Sequence, residues 1–174
     1  NLRPLPAVAG REGVGEVAEV GSGVDKGLIG RMAALPEDQG AWAESFVMPA
    51  KDLFFLPIGL PFEQAALALL NPMTAWRLLH DFEYLKPGDW IIQNAANSAV
   101  GLAVIQLARH LGVRTVNVVR REELRDDLRK IGADVVVLDD EDYPGNLGDL
   151  TGGKDPKLAL NSIGGPSALR LAKT

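Results

Sequence analysis

The stretch WIIQNAANSAVG, residues 90–101, decides the fold class of this chain. Its apolar start predicts a buried strand over Trp90–Asn94, and apolar residues at helical spacing predict a helix over Ser98–Leu111 that ends at Gly112. A strand that passes through a short turn into a helix presents backbone N–H groups and the positive end of the helix dipole to a phosphate. The stretch therefore predicts a nucleotide-binding turn, although it lacks the usual G-x-G-x-x-G pattern.

Strands and helices alternate after this turn. The predicted elements are a buried strand at Thr115–Val119, a charged helix at Glu122–Ile131, strands at Val135–Leu138 and Leu158–Leu160, and a helix from Pro166 onward. This order predicts an α/β fold with a doubly wound parallel sheet, the Rossmann class. The acidic run Asp139–Asp142 is interpreted as a solvated loop.

The first 60 residues have a different composition, rich in Gly, Val and Pro, and predict a small β-rich unit. Strand-like runs occur at Val14–Val20 and Ser45–Met48, and turns are predicted at residues 21–23 and 36–40. From residue 61 the pattern changes to helix, over 62–70 and again over 72–82, where Asn71 is typical of an N-cap. The chain is therefore divided into domains at 1–60 and 61–174.

Composition excludes several classes of function. The net charge of −5 disfavours a broad nucleic-acid surface or an anionic membrane as partner. The absence of cysteine excludes a thiolate zinc site, and the two histidines, His80 and His110, stand far apart, so no metal site is predicted. No apolar run reaches the roughly 20 residues of a membrane span. The opening Asn1–Pro4 does not have the pattern of a signal or transit peptide.

Small and polar residues replace glycine in the predicted nucleotide turn. Asn97 tolerates a left-handed backbone, and Ser98 can cap the helix and donate its hydroxyl to a phosphate. Ala99 and Val100 follow in the first turn of the helix, and Gly101 allows the helix to pack closely on the sheet. The alternative is an ordinary βα turn without a ligand.

Two arginines stand where a dinucleotide site for NAD normally has an acidic residue. Arg120 and Arg121 follow the second strand directly. A guanidinium cannot accept hydrogen bonds from the ribose hydroxyls, but it suits a 2′-phosphate, which indicates NADPH. The alternative is an exposed basic pair, at a helix start where the dipole disfavours cations.

Four segments carry a resemblance to the medium-chain dehydrogenase/reductase superfamily. They are Leu5–Val8, Glu12–Val17, Asn71–Arg77 and Leu85–Ser98. Among its branches the chain is most similar to the mitochondrial-type trans-2-enoyl-CoA or enoyl-acyl-carrier-protein reductases. The motif Gln-Asn-Ala-x-Asn-Ser, at residues 93–98, is the strongest evidence for this branch. The resemblance implies a partial GroES-like catalytic domain followed by the first part of a Rossmann cofactor domain.

The resemblance implies a zinc-independent oxidoreductase that uses NADPH to reduce trans-2-enoyl thioesters in fatty acid synthesis. The hydride goes to the β-carbon and the proton to the α-carbon. The implied cofactor-binding residues are Asn71, Asn97, Ser98, Ala99, Val100, Arg120 and Arg121. For Asn71, the alternative is a simple helix cap, and Thr74 follows it on the same predicted helix. The substrate is carried on coenzyme A or acyl-carrier protein.

The resemblance also implies a homodimer in lipid metabolism, located in the mitochondrial matrix in a eukaryote and in the cytoplasm in a bacterium. The family's proton-donating tyrosine is expected upstream of residue 1, and neither Tyr84 nor Tyr143 matches its motif, so no catalytic residue is assigned. Ala99 stands where the family usually has glycine. The alternatives are a zinc-free quinone or enone reductase of the same superfamily, and an inactive nucleotide-binding fragment.

Overall fold

The computed structural model describes residues 6–36 and 40–174, which form two compact units. The first unit extends to Leu70 and the second runs from Asn71 to Thr174. Sequence patterning placed the boundary at residue 60, before the helical segment. The structure places the first predicted helix, residues 62–70, in the first unit, because Ala65 packs there against Ala34 and Leu56.

The first unit contains a small antiparallel sheet. Its strands are β1 (Val14–Glu16), β2 (Met32–Ala34) and β3 (Phe54–Phe55), in the order β1-β2-β3. A short helix, α1 (Phe62–Ala65), follows the sheet. The β-rich character that the sequence predicted is therefore present in short strands.

Two predictions for this unit differ from the structure. The strand expected over Val14–Val20 ends at Glu16, and Ser45–Met48 forms no strand with the described residues. Burial alternates through that second segment as in an extended chain, but a strand also needs a hydrogen-bonded neighbour, which a local pattern does not specify. Residues 37–39 of the turn predicted at 36–40 lie outside the described residues.

The second unit is built on a four-stranded parallel sheet. Its strands are β4 (Trp90–Gln93), β5 (Arg114–Val119), β6 (Val135–Leu138) and β7 (Leu158–Leu160). They lie side by side in the order β6-β5-β4-β7, with Gln93 opposite Asn117 and Leu160. This arrangement confirms the predicted Rossmann class.

Helices cover both faces of this sheet. The helices are α2 (Leu70–His80), α3 (Ala99–Leu111), α4 (Arg125–Lys130), α5 (Tyr143–Thr151) and α6 (Gly165–Leu171). On one face, α2, α3 and α4 pack against Ile91, Val119 and Leu160. On the other face, α5 and α6 pack against Ile92 and Val118. Neighbouring strand residues point to opposite faces, so each strand contributes to both cores.

Helix α5 was not predicted from the sequence. Gly145 and Gly148 lower its helix propensity, yet Tyr143, Leu147 and Thr151 are spaced by one turn and are all buried. The acidic run before it is only partly solvated, because the Arg170 guanidinium contacts Asp139 at 2.8 Å and Glu141 at 2.9 Å. The acidic run is therefore a loop, as predicted, whose residue Asp139 is held by an ion pair, and the packing of the buried residues of α5 stabilises the helix that follows.

The helix that holds Asn71 begins at Leu70, two residues earlier than expected. Asn71 is not an N-cap, since α2 starts at Leu70 and hydrogen-bonded turns precede it, with Ala68 N donating to Ala65 O. Pro72 is tolerated because the first turn of a helix does not use its N–H groups. None of the described helices is long and apolar enough to cross a membrane.

Candidate functional site

The carboxyl ends of β4 and β7 form the point where the winding of the sheet reverses. Helix α3 follows β4 onto one face, and α6 follows β7 onto the other. The two connections leave in opposite directions, so a crevice opens between the strand ends. Ligands of doubly wound sheets bind in such a crevice.

The turn that follows β4 is anchored at both sides. Ala96 N donates to Val118 O of β5 at 3.3 Å, and Ser98 N donates to Ala95 O at 2.9 Å. Ala95 has φ +48° and is the one described residue other than glycine with a positive φ. Asn97, whose residue type tolerates this conformation, does not adopt it. The chain reverses two residues earlier, where the small alanine side chain limits the steric cost of a left-handed backbone.

The first turn of α3 is capped as predicted. Ser98 Oγ accepts from Gly101 N at 3.1 Å, and Ser98 O accepts from Leu102 N at 2.8 Å. Within the described part of the chain, the amides of Ala99 and Val100 have no acceptor. These N–H groups and the helix dipole together suit a phosphate. Asn97 and Ser98 are exposed beside them.

Gly101 lies in close contact with the backbone of the turn. A Cβ at this position would lie 2.6 Å from Ala96 O and 2.8 Å from Ala95 O. Sequence analysis expected the glycine to permit contact between helix and sheet, whereas the close neighbours are the turn's own carbonyls. The absence of a side chain therefore allows the close geometry of the turn.

Two buried amides below the turn were not identified from the sequence. Gln93 Nε2 donates to Gly101 O at 3.0 Å and to Asn117 Oδ1 at 2.8 Å. Asn117 Nδ2 donates in turn to Thr115 Oγ1 at 2.8 Å and to Val135 O at 3.1 Å. The sequence signal that could have identified these amides is a polar residue, Gln93 or Asn117, inside an otherwise largely apolar strand. The network links the first turn of α3 to three strands of the sheet.

A second set of polar side chains lies on the opposite face. Asn94, the last residue before the turn, is hydrogen-bonded to Asn161 after β7 and to Ser167 of α6. Sequence analysis assigned no role to any of these residues. Single polar residues at strand ends carry little signal until the strand order is known.

The two arginines lie at the same edge of the sheet as the turn. Strand β5 ends at Val119, and both Arg120 and Arg121 are exposed directly after it. Arg121 Nε is 3.7 Å from Glu123 Oε1, while Arg120 has no acidic partner within the described ranges. Because β5 is the neighbour of β4, the structure brings the arginines and the turn to adjacent strand ends.

Asn71 and Thr74 lie on a different element. Both are half-buried on α2, whose Ala75 and Leu79 pack with Ile91 on the α3 face. Over residues 6–36 and 40–174, no described hydrogen bond joins Asn71 to the nucleotide turn or to the arginines. The structure therefore brings six of the seven predicted cofactor residues to neighbouring strand ends, while Asn71 lies on α2, whose buried residues pack with Val100 of α3.

Neither tyrosine considered as a proton donor belongs to the crevice. Tyr84 is 78% exposed in the segment between α2 and β4. Tyr143 is only 3% exposed, its hydroxyl has no hydrogen-bond partner, and burial raises the pKa of this phenol to about 12. These positions agree with the absence of the family's tyrosine motif around both residues.

Comparison with known proteins identifies relatives of the whole chain. Residues 99–173 match the family model described as zinc-binding dehydrogenase. The mitochondrial enoyl-[acyl-carrier-protein] reductase of Xenopus tropicalis is 44% identical over 99% of this chain, which covers 51% of that protein. The chain thus spans about half the length of the curated relatives it matches.

Solved structures similar to this chain are also reductases, and the chain again covers about half of each. The mitochondrial 2-enoyl thioester reductase of Candida tropicalis has 30% identity and a TM-score of 0.85, over 96% of this chain and 52% of that one. It was also solved with NADP and crotonyl-CoA. A quinone oxidoreductase of Pseudomonas syringae has 30% identity and a TM-score of 0.80, over 97% of this chain and 53% of that one.

The residues of this chain do not fit the metal in the family model's description. The sequence has no cysteine, and the described residues contain no group of three His, Asp or Glu side chains able to hold a metal ion. His80 Nδ1 lies 2.7 Å from Trp76 O and its ring stacks on Trp76. No catalytic step is therefore assigned to zinc.

Proposed function

Because the chain belongs to the medium-chain dehydrogenase/reductase superfamily, we propose that its second unit binds NADPH and serves a reductase of trans-2-enoyl thioesters. One observation carries the proposal. The free amides at the start of α3 and the side chains of Arg120 and Arg121 lie at the carboxyl ends of neighbouring strands.

Each group has a chemical task in this proposal. Ala99 N, Val100 N and the Ser98 hydroxyl would hold the diphosphate, with Asn97 at its side. Arg120 and Arg121 would hold the 2′-phosphate through charge-assisted hydrogen bonds. Asn71 is retained as a predicted cofactor contact. When bound, NADPH supplies the hydride that is added to the β-carbon of the enoyl thioester.

The substrate class rests on the relatives. Two curated enoyl-[acyl-carrier-protein] reductases match 99% of the chain at 44% and 42% identity. We therefore propose an enoyl thioester carried on coenzyme A or acyl-carrier protein. A quinone or enone reductase is the second candidate, because the similarity in fold is nearly as high, with TM-scores of 0.80 and 0.85.

Binding of the cofactor is tested by titrating the chain with NADPH and with NADH while nicotinamide fluorescence is recorded. We expect tighter binding of NADPH, and Arg120→Ala should weaken it about tenfold or more through loss of charge-assisted hydrogen bonds. NADH affinity should not change in this variant. Arg129→Ala removes an exposed arginine of α4 and serves as the matched control.

Equal affinity of the wild type for the two cofactors would contradict the arginine assignment. Oxidation of NADPH that depends on crotonyl-CoA, and not on a quinone, supports the enoyl reductase. The reverse preference supports the second candidate. Binding without turnover of either substrate supports a nucleotide-binding module.

We further propose that two copies of the protein associate. The Candida tropicalis reductase was solved as a heterodimer of two related chains. Sedimentation equilibrium measures the mass of this protein in solution. A mass that stays at 18.6 kDa at all concentrations would contradict the homodimer.

A further inference from the structure

The side chain of Asn94 is buried at the carboxyl ends of β4 and β7, where the winding of the sheet reverses. This residue is 2% exposed and lies between the end of β4 and the end of β7. Its Nδ2 donates to Asn161 Oδ1 at 2.8 Å and to Ser167 Oγ at 3.0 Å, and its Oδ1 accepts from Ser162 N at 2.7 Å. All the hydrogen-bonding capacity of its side-chain N–H groups is therefore used.

The hydrogen bonds continue from Asn94 into the loop between β7 and α6. Asn161 Oδ1, which Asn94 orients, also accepts from Gly164 N at 3.0 Å and from Ile163 N at 3.3 Å. Gly164 has φ +80° and ψ −169°, a conformation open essentially to glycine alone. One buried amide thus determines the course of a loop whose residues Asn161 to Ile163 are exposed at the crevice.

The position of this loop connects the Asn94 side chain to the binding of a dinucleotide. The adenosine half of a dinucleotide lies over the second strand of such a sheet, here β5 with its arginines. The other half must then extend across the switch point toward β7. The loop at 161–164 forms the wall on that side, and Asn94 holds the wall to β4.

We propose that Asn94 is a positioning residue that sets the nicotinamide-side wall of the crevice through Asn161. The inference rests on the proposed binding of NADPH and deepens it. The role requires a neutral amide, because a carboxylate at residue 94 would still accept from Ser162 N but would face the Asn161 Oδ1 lone pairs. Loss of this residue should affect the nicotinamide half of the ligand and leave the adenosine half unchanged.

The test compares NADP+ with adenosine 2′,5′-bisphosphate as ligands of wild type and Asn94→Asp, by isothermal titration calorimetry near neutral pH. We expect Asn94→Asp to weaken NADP+ about tenfold, the loss of one or two buried hydrogen bonds, and to change the bisphosphate less than about twofold. Exposed Asn146 on α5 provides the matched control, Asn146→Asp, which should change neither affinity.

A pH profile separates positioning from general damage to the fold. As the pH is lowered toward about 5, the affinity of Asn94→Asp for NADP+ should recover, because burial raises the pKa of the carboxyl and its protonated form can donate again. The pH dependence measured with adenosine 2′,5′-bisphosphate corrects for protonation of the ligand itself. Equal weakening of both ligands, or no pH-dependent recovery, would overturn the inference.

Hydrogen exchange distinguishes failure of this inference from failure of the proposed function. If wild type binds neither ligand, NADPH binding is refuted, and the amide of Ser162 then decides the role of Asn94. Its exchange should accelerate in Asn94→Leu, while exchange at Leu102 of α3 stays the same. Unchanged exchange at Ser162 would show that Asn94 does not hold the loop.

Discussion

The two ends of the parallel sheet use polar side chains in opposite ways. At the amino end, the residues next to the strands form ion pairs at the surface: Arg114 with Asp134 at 2.8 Å, and Lys157 with Asp89 at 3.0 Å. At the carboxyl end of β4, the polar residues are neutral and buried, with Gln93 and the next residue, Asn94, each 2% exposed. At β4, charge is thus placed in solvent at the amino end and uncharged amides in the core at the carboxyl end, whereas a largely buried ion pair, Arg170 with Asp139, follows β6.

This difference agrees with a binding site at the carboxyl end. Surface ion pairs contribute little to stability because water screens them. A buried amide must have its partners, because an unpaired polar group in the core costs about 1–3 kcal/mol. Amides that bond to a helix on either face position both walls of the crevice and add no negative charge where a phosphate would bind. Each variant below tests one part of this contrast.

The largest effect is expected from Gly101→Ala at the carboxyl end. The new methyl group would meet the carbonyl oxygens of Ala96 and Ala95, which are backbone atoms that cannot rotate away. We expect a loss of about 3 kcal/mol in the free energy of unfolding, at the upper end of typical overpacking costs. Urea denaturation monitored by circular dichroism measures it.

Gly148 on α5 provides the matched control for this variant. No atom lies within 4 Å of a Cβ at that position, and its helical backbone needs no positive φ. Gly148→Ala should leave stability unchanged or raise it by up to about 1 kcal/mol, since alanine is the better helix former. Similar losses in both variants would refute the close contact at Gly101.

A smaller loss is expected from Gln93→Met, which keeps the length of the side chain and removes its amide. Asn117 Oδ1 and Gly101 O would each lose a buried donor, at a cost of about 1–2 kcal/mol. The same denaturation experiment measures this, with Gln106→Met on the exposed side of α3 as the control. A stability equal to wild type would show that the Gln93 network contributes nothing.

The smallest effect is expected at the amino end, from Asp89→Asn. The Lys86 backbone N–H and the Lys157 ammonium hold the pKa of the Asp89 carboxyl below its ordinary value of 3.8. Since the pKa is lower in the folded state, the carboxylate stabilises the fold above that ordinary value. This contribution is lost as the pH falls through the folded-state pKa.

Thermal unfolding across a pH series measures the Asp89 contribution. The midpoint of Asp89→Asn should lie slightly below that of wild type above about pH 5, and the two should converge in acid. Asp149→Asn changes an exposed carboxylate on α5 and should follow wild type at every pH. A difference that persists in acid would mean that the ion pair is not its source.

Local patterns predicted the parts of the site that depend on neighbouring residues in the chain. Ser98 caps α3 and Gly112 ends it with φ +71°, both as expected from the sequence. The left-handed residue of the turn is Ala95 and not Asn97, which tolerates this conformation better, because the bond from Ala96 N to Val118 O determines where the chain reverses. That bond joins the turn to β5 and has no local signal.

The sequence by itself determined the Rossmann class, the cap and stop of α3, and the arginines at the end of β5. These follow from periodicity and from residue types within a few positions of one another. Only the tertiary structure decided that Gln93 meets Asn117 and that Asn94 meets Asn161, pairs separated by 24 and 67 residues. Hydrogen bonds between strands depend on strand order and register, which the packing of the whole sheet establishes.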